Sequence, residues 1–384
     1  MAKLIDKYKP YLDFMRFCIH EDAEVPETAR EIDWKEMLHF AEKQSIVGVL
    51  FRGIKRLTSR NPHPSAHQLA MWGTTAEVIA EDAQQAFSDA FKATDIVYNT
   101  YGHRCCVLKG QGNALMYPDP YMRTSGDIDL WIAPNKGEGM DDIIRLCRDI
   151  TPGCEVVYHH SHNDNITKTF VELHFRPSYS ESLFYNRRLQ QWFQSVREEQ
   201  FRNIVALPNQ LGKICMPTDS FNRVFQLSHM MKHLVYEGIG VGLRHVIDYY
   251  YLLRRGATDK EKAEFKSMVK RLGMSRFARG IMAVMQDTLG LEEKYLLIEP
   301  DRRLGKFMTR EILLSGNFGH DDKRFSNKVY SNPFLSAVSS IRRGLRFLPA
   351  FPLAPLEHTT WILWWHFIGK KHAARVIKRK RSRK

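Results

Sequence analysis

No run of eighteen or more uninterrupted apolar residues occurs in the 384 residues of this chain, which excludes a transmembrane helix of ordinary length. The nearest approach, Thr360 to Ile368, is too short to span a bilayer. The first residues, MAKLIDKYKPYLDF, interrupt their apolar positions with charge and do not read as a secretory signal. The six cysteines (Cys18, Cys105, Cys106, Cys147, Cys154 and Cys215) include no CxxC pair, so neither a zinc ribbon nor a thioredoxin-type motif is supported. Buried reduced thiols in a cytoplasmic protein are the expectation. Glycine and proline, 23 and 16 in all, are too sparse for a collagen-like or low-complexity chain. P-loop, GxGxxG, GxSxG and HExxH signatures are missing too, and with them the simplest routes to a P-loop ATPase, a dinucleotide enzyme, a serine hydrolase or a zinc protease. There is no fixed-period repeat.

What is present is ordinary globular composition, 43% hydrophobic and 26% charged, in a length that suggests two or three domains. The net charge is +14, but nine of the last fifteen residues, Lys370 to Lys384, are Lys or Arg and none is acidic; the remainder carries only +5. A nucleic-acid role for the whole chain therefore does not follow. The tail is expected to be mobile. With Trp361, Trp364, Trp365 and Phe367 ahead of it, it suits peripheral contact with an anionic membrane or a nucleic acid, which would place the protein in the cytoplasm or at the inner membrane face.

Residues 1–101 read as helical. Trp34 to Leu57 keeps a helical apolar period, and Ser65 to about Tyr101 reads as one long amphipathic helix. Residues 102–215 change character. Arg104 to Leu108, Asp127 to Ile132, Glu155 to Tyr158 and Thr167 to Phe175 read as strands, and Glu138 to Asp149 as a helix. Helical spacing returns over 216–315, with helices expected at Phe221 to Leu234, Leu243 to Leu253, Lys260 to Leu272, Arg276 to Leu289 and Pro300 to Leu314. Residues 316–384 hold a polar linker, an amphipathic and aromatic stretch and the basic tail. The fold class is α+β: a small mixed sheet flanked by N-terminal and C-terminal helical regions.

The chemistry-bearing segment is Val107 to Ile132, VLKGQGNALMYPDPYMRTSGDIDLWI. Strand alternation puts Asp127 and Asp129 on one face while Ile128 and Leu130 enter a core. Paired carboxylates on a rigid strand suit a hard divalent cation, Mg²⁺ or Mn²⁺. Gly126 leaves room ahead of them. Lys109 and Gly110 form a glycine turn before a short apparent helix, Asn113 to Met116, and such turns can expose N–H groups to phosphate. Downstream, Glu172 and His174 share a face while Val171, Leu173 and Phe175 share the other. If that strand lies beside Asp127 to Ile132, Glu172 joins the aspartates, and three carboxylates around two metal ions suit in-line nucleotidyl transfer.

Leu108-Lys109-Gly110, Tyr117-Pro118, Arg123, Gly126 to Ile132 and Val171 to Phe175 occur in an order that resembles the uncharacterised nucleotidyltransferase family of the DNA polymerase β-like superfamily. The resemblance extends to Ser45 to Arg52, to His229 and His233, and to Gly242-Leu243-Arg244 with Asp248, covering about residues 35 to 290. It implies a nucleotidyltransferase core in which Asp127, Asp129 and Glu172 hold the metal and Glu172 also helps to activate an acceptor hydroxyl. It implies an NTP substrate and an acceptor that is a sugar phosphate, a protein side chain or an RNA end, with a surface-polysaccharide role weakly favoured. Lys109 and Arg123 are the candidates for phosphate contact, with surface charge as the alternative. His174 is either an orienting group or a half-buried strand histidine. Where many members of the superfamily carry Gly-Ser or Gly-Gly, Gln111 follows Gly110, which leaves open a catalytically degenerate protein that binds nucleotide or a partner.

Other polar clusters have simpler readings. His229 and His233 lie one helical turn apart without a third ligand, which favours packing over zinc. His233 and Arg244 are expected to face the catalytic cleft, with an Arg244–Asp248 pair as the alternative. His159, His160 and His162 are expected on an exposed polar hairpin.

Overall fold

The side chain of Asp33 accepts from the backbone N–H groups of Lys35 and Glu36 and so starts the helix Trp34–Gln44. That helix stops at Ser45, whose left-handed backbone (φ 56°) lets a second helix, Val47–Ile54, leave in a new direction. The helical period read over Trp34 to Leu57 is therefore carried by two helices. Gln44, fully buried just before the break, fixes it: its amide nitrogen reaches the carbonyls of Ile312 and Leu313, and its oxygen accepts from Leu243 N at 2.9 Å. The sequence period hides the break because apolar residues continue on both sides of it.

This computed structural model describes residues 2–163, 166–319, 322, 324 and 333–370. The basic tail beyond Lys370 and most of the linker at 320–332 lie outside the described residues. The chain forms an α+β fold and divides into two compact units assembled from separated segments. One contains Met1–Ala83, Ala114–Thr124 and His233–Ser336; the other contains Gln84–Asn113, Ser125–Lys232 and Ala337–Lys384. The boundaries thus cut across the contiguous regions read along the sequence, because the helix Ala66–Asp95 contributes to both and 114–124 leaves the strand-rich segment.

The first unit is helical. Among its helices are Ala2–Ile19, Leu243–Arg254, Asp259–Arg271, Ser275–Leu289 and Arg302–Ser315, packed over buried Phe14, Met15, Tyr249, Ile281, Met308 and Ile312. Gly280 sits where a Cβ would fall 2.3 Å from Met308 Sδ, so absence of a side chain permits the close crossing of Ser275–Leu289 with Arg302–Ser315.

The second unit carries a mixed sheet of four strands: β1 (Cys105–Val107), β2 (Ile128–Ile132), β3 (His160–Asn163) and β4 (Val171–His174), in the order β1-β2-β4-β3. β2 runs antiparallel to β1 and parallel to β4, and β3 closes the edge antiparallel to β4. One face carries Ile128, Leu130, Val171 and Leu173, all fully buried, with the amphipathic helix Met140–Ile150 turning Ile143, Ile144 and Cys147 inward. On the other face Trp131 packs against Phe193, Phe201 and Phe221.

The strand expected at Glu155 to Tyr158 lies one step later. Glu155 to His159 folds back on β3, with His162 N donating to Glu155 O at 3.2 Å. The helix Leu183–Gln200 and the hairpin of β5 (Ile204–Ala206) and β6 (Lys213–Cys215) were not expected from the sequence. In the helix, polar residues occupy buried positions: Asn186 donates to the Tyr158 hydroxyl at 2.7 Å, and Gln200 accepts from Thr218. Polar side chains satisfied in this way blur an apolar stripe. All six cysteines are free thiols. Among the described residues no helix is long and apolar enough to cross a membrane.

Candidate active site

Cross-strand register assembles the site. Asp129 on β2 lies opposite Glu172 on the parallel β4. On the other side of β4, His162 lies opposite Glu172 and His160 opposite His174. Residues opposite one another in a sheet share a face, so Asp129, Glu172, His174, His160 and His162 form one polar field. Their neighbours in sequence, Ile128, Leu130, Val171 and Leu173, are anchored in the apolar layer and hold the strands rigidly beneath it.

Lys109 joins from the end of β1. Leu108 N donates to Asp129 O at 2.9 Å, so the ladder continues to the residue before Lys109. The chain then turns at Gly110, whose φ of +61° favours glycine. Lys109 Nζ lies 2.9 Å from Asp129 Oδ2, and His174 Nε2 lies 2.9 Å from Asp129 Oδ1 and 3.3 Å from Glu172 Oε2. The other ring nitrogen of His174 faces the Arg176 carbonyl at 3.1 Å. With acceptors at both nitrogens, His174 is best satisfied as a doubly donating imidazolium.

The electrostatics follow from this placement. Burial penalises the charge on Asp129, but Lys109 and His174 outweigh it and hold the carboxyl well below the usual carboxylate range. Burial likewise opposes ionisation of Glu172, and the hydrogen bond from His174 prevails over repulsion from Asp129, leaving it lowered. His174 would be depressed by burial alone; Asp129 and Glu172 raise it to about 9. The Lys109 ammonium is kept charged against its burial by Asp129, Asp127 and Glu172. Crowded carboxylates would be expected to push one another up. Asp129 and Glu172 move down instead, because two cations stand among them.

Both oxygens of Asp129 are buried and lack a hydrogen bond of ordinary geometry, although Lys109 and His174 approach them closely. Asp129, Glu172 and His174 present potential ligand atoms within 4.8 Å of one another; a divalent ion there would replace the charges that Lys109 and His174 now set against the carboxylates, and His174 could join it only after losing a proton. Asp127 stands one residue ahead of β2, half-buried, and is not in that cluster; its charge acts on Lys109. Gly126 is exposed. Gln111 is buried, with its side-chain oxygen lacking a hydrogen bond, and opens the short helix Gln111–Ala114.

Arg123, His233 and Arg244 belong to the other compact unit. Arg123 is no surface charge: its Nε and Nη2 each donate to Asp248 at 2.7 Å, and Tyr117 donates to the same carboxylate at 2.7 Å. That buried fork holds the guanidinium in a fixed orientation. Asp248 pairs with Arg123, while Arg244 donates to the Thr124 carbonyl at 3.0 Å. His233 lies 2.6 Å from Glu237. Among the described residues, no cluster of metal-ligand side chains includes His229 or His233.

A family model described as an uncharacterised nucleotidyltransferase matches residues 30–290, more than half of the chain. The chain belongs to this nucleotidyltransferase family. The matched span contains β1 to β4 and the whole polar field; the C-terminal helices lie beyond it. Among solved structures, an antigenic nucleotidyltransferase-like protein from Paracoccidioides brasiliensis is 13% identical, with 57% of this chain and 93% of that chain covered and a TM-score of 0.28. A likeness so distant carries no argument about this chain. No curated protein matches it.

Sequence reasoning missed the histidines. His159 and His160 are buried, not exposed on a hairpin, and His160 and His162 sit beside Glu172. The available signal was alternation: His160-x-His162 matches Glu172-x-His174 in period. Burial and the neighbouring His174 push His160 down to about 3, leaving a neutral imidazole. Lys232 was also missed; it is buried, with its ammonium 5.1 Å from the Tyr179 ring centroid.

Proposed function

We propose that this protein is a divalent-metal-dependent nucleotidyltransferase that moves a nucleotidyl group from an NTP to an acceptor hydroxyl. The observation that carries the reading is the opposition of Asp129 and Glu172 on adjacent parallel strands, with Lys109 and His174 balancing their charge. Asp129 and Glu172, with Asp127 beside the strand end, would hold Mg²⁺ or Mn²⁺. Such an ion, when bound, neutralises phosphate charge and acidifies a hydroxyl.

The chain's own residues divide the remaining work. Lys109 supplies a fixed cation for an anionic substrate. His174 keeps Asp129 and Glu172 ionised and orients them. In the transfer, the acceptor oxygen bonds to the α-phosphorus, the bond from that phosphorus to the bridging oxygen breaks, and pyrophosphate leaves. Glu172 would take the hydroxyl proton. The acceptor is a sugar phosphate, a protein side chain or an RNA end, with a glycan-related acceptor weakly preferred.

One feature favours a second reading. Gln111, rather than a small residue, follows Gly110 at the turn expected to grip the triphosphate. A degenerate member that binds nucleotide or a regulatory partner without turnover would tolerate it. Incubating the full chain with cell extract and each α-labelled NTP, with Mg²⁺ or Mn²⁺ and then with EDTA, separates the two. Metal-dependent label on an acceptor supports transfer; nucleotide binding without turnover supports the binding module.

A further inference from the structure

The geometry points to a second metal site at the edge of the sheet, built by His160, His162 and Glu172 and selective for a nitrogen-preferring ion such as Zn²⁺ or Co²⁺ over Mg²⁺. His160 and His162 turn one ring nitrogen to each other, Nε2 to Nε2 at 3.4 Å, and the other toward Glu172, His160 Nδ1 at 3.4 Å from Oε2 and His162 Nδ1 at 3.7 Å from Oε1; taking one ligand atom from each residue, the three lie within 4.8 Å of one another. Bonds of about 2.0–2.1 Å to a tetrahedral ion set its ligand atoms roughly 3.3–3.4 Å apart. Each ring gives an ion one nitrogen, so the ligand atoms, now within 4.8 Å of one another, close to that spacing by side-chain rotation when an ion binds. The register supplies the rigidity, since His162 and Glu172 are cross-strand neighbours.

The donor set discriminates between ions. Mg²⁺ takes oxygen ligands in near-ideal octahedral geometry, whereas imidazole suits the later first-row metals. Asp129 and His174 form a separate cluster with Glu172, which is common to both. The site thus deepens the transferase reading, with a hard-ion position at Asp129 and a softer one at His162. It remains separable from that reading, because the two positions respond to different substitutions.

The test is metal binding by the full chain, followed by Co²⁺ absorption and by calorimetry with Zn²⁺ and Mg²⁺. His162 is about a third exposed (side chain 35%), so His162→Ala opens no cavity; His160→Gln provides a second variant. Each should weaken Co²⁺ and Zn²⁺ roughly 10–100-fold and leave Mg²⁺ affinity unchanged. Asp129→Asn should weaken Mg²⁺ and spare the Co²⁺ spectrum. Co²⁺ affinity unchanged in both histidine variants overturns the site. A Co²⁺ site that responds to His162→Ala in a protein with no measurable Mg²⁺ affinity would uphold it and count against the hard-ion position instead.

A different observation carries a second inference. We infer that the helices at the C-terminal end dock on an anionic membrane surface. Leu353, Leu356, Leu363 and Phe367 recur at helical spacing and are 64%, 66%, 53% and 59% exposed. The opposite face of the helix Ala354–Trp364 is committed: His358 lies 2.5 Å from Glu181, and Trp361 stacks on Tyr179 at 4.9 Å. Arg342 and Lys370, both exposed, precede and follow the stripe in sequence, which then continues into the polybasic run. An outward apolar stripe followed in sequence by dense positive charge is the pattern of an interfacial helix. Sedimentation with phosphatidylglycerol-containing vesicles, against neutral ones, should show binding that the pair Leu356→Glu and Leu363→Glu weakens roughly tenfold. Equal binding by the pair variant, or binding to labelled RNA without binding to vesicles, overturns it.

Discussion

His174 sets the charge balance of the site. Its pKa of about 9 exceeds the ordinary 6.5, so the stability it contributes is complete below about 6.5 and is lost as pH rises through about 9. In chelator-treated protein, urea unfolding should show the native chain losing up to about 3 kcal/mol across that range, and His174→Gln should remove this slope. An identical slope in the variant would show that His174 is not the titrating group. Arg123 has a comparable role in the other unit. Its removal would take from the buried Asp248 its two-pronged ion pair, so Arg123→Ala should cost about 3–5 kcal/mol by urea unfolding. A loss below about 1 kcal/mol would show that the fork is dispensable and reopen a substrate role for Arg123. The sequence made both residues conspicuous, but it did not show what they touch. Arg123 is separated from Asp248 by more than a hundred residues, and no local pattern encodes such a pairing.

Strands and helices with a clean period were legible. The alternation Ile128-Asp129-Leu130 and Val171-Glu172-Leu173 places acids and apolar residues on opposite faces, and the structure buries the apolar set. Which strand lies beside which was not legible, since pairing depends on the whole sheet. β3 was misplaced because its histidines look like a polar loop when the cross-strand partners are unknown. The helix Leu183–Gln200 was missed because Asn186 and Gln200 are satisfied by distant partners. The break at Ser45 was missed because its left-handed backbone falls on serine instead of glycine. That strain is testable. Ser45→Gly should stabilise the protein by about 0.5–1 kcal/mol and Ser45→Val should destabilise it, measured as thermal midpoints. A lower midpoint for Ser45→Gly would mean that the serine side chain contributes more than its backbone costs.

Across the whole molecule, the family match covers the sheet and most of the helical unit, while the exposed C-terminal stripe lies beyond it. Chemistry and proposed membrane contact therefore occupy different parts of the chain and can be separated by mutation. In the proposed function the Asp129–Glu172 pair works on nucleotide phosphates. Its most direct measurement is pyrophosphate release from NTPs in the presence of acceptor-containing extract, comparing the native chain with Asp129→Asn at matched thermal midpoints. Release should require a divalent cation and fall at least roughly 100-fold in Asp129→Asn. Undiminished release by a folded Asp129→Asn protein would contradict it.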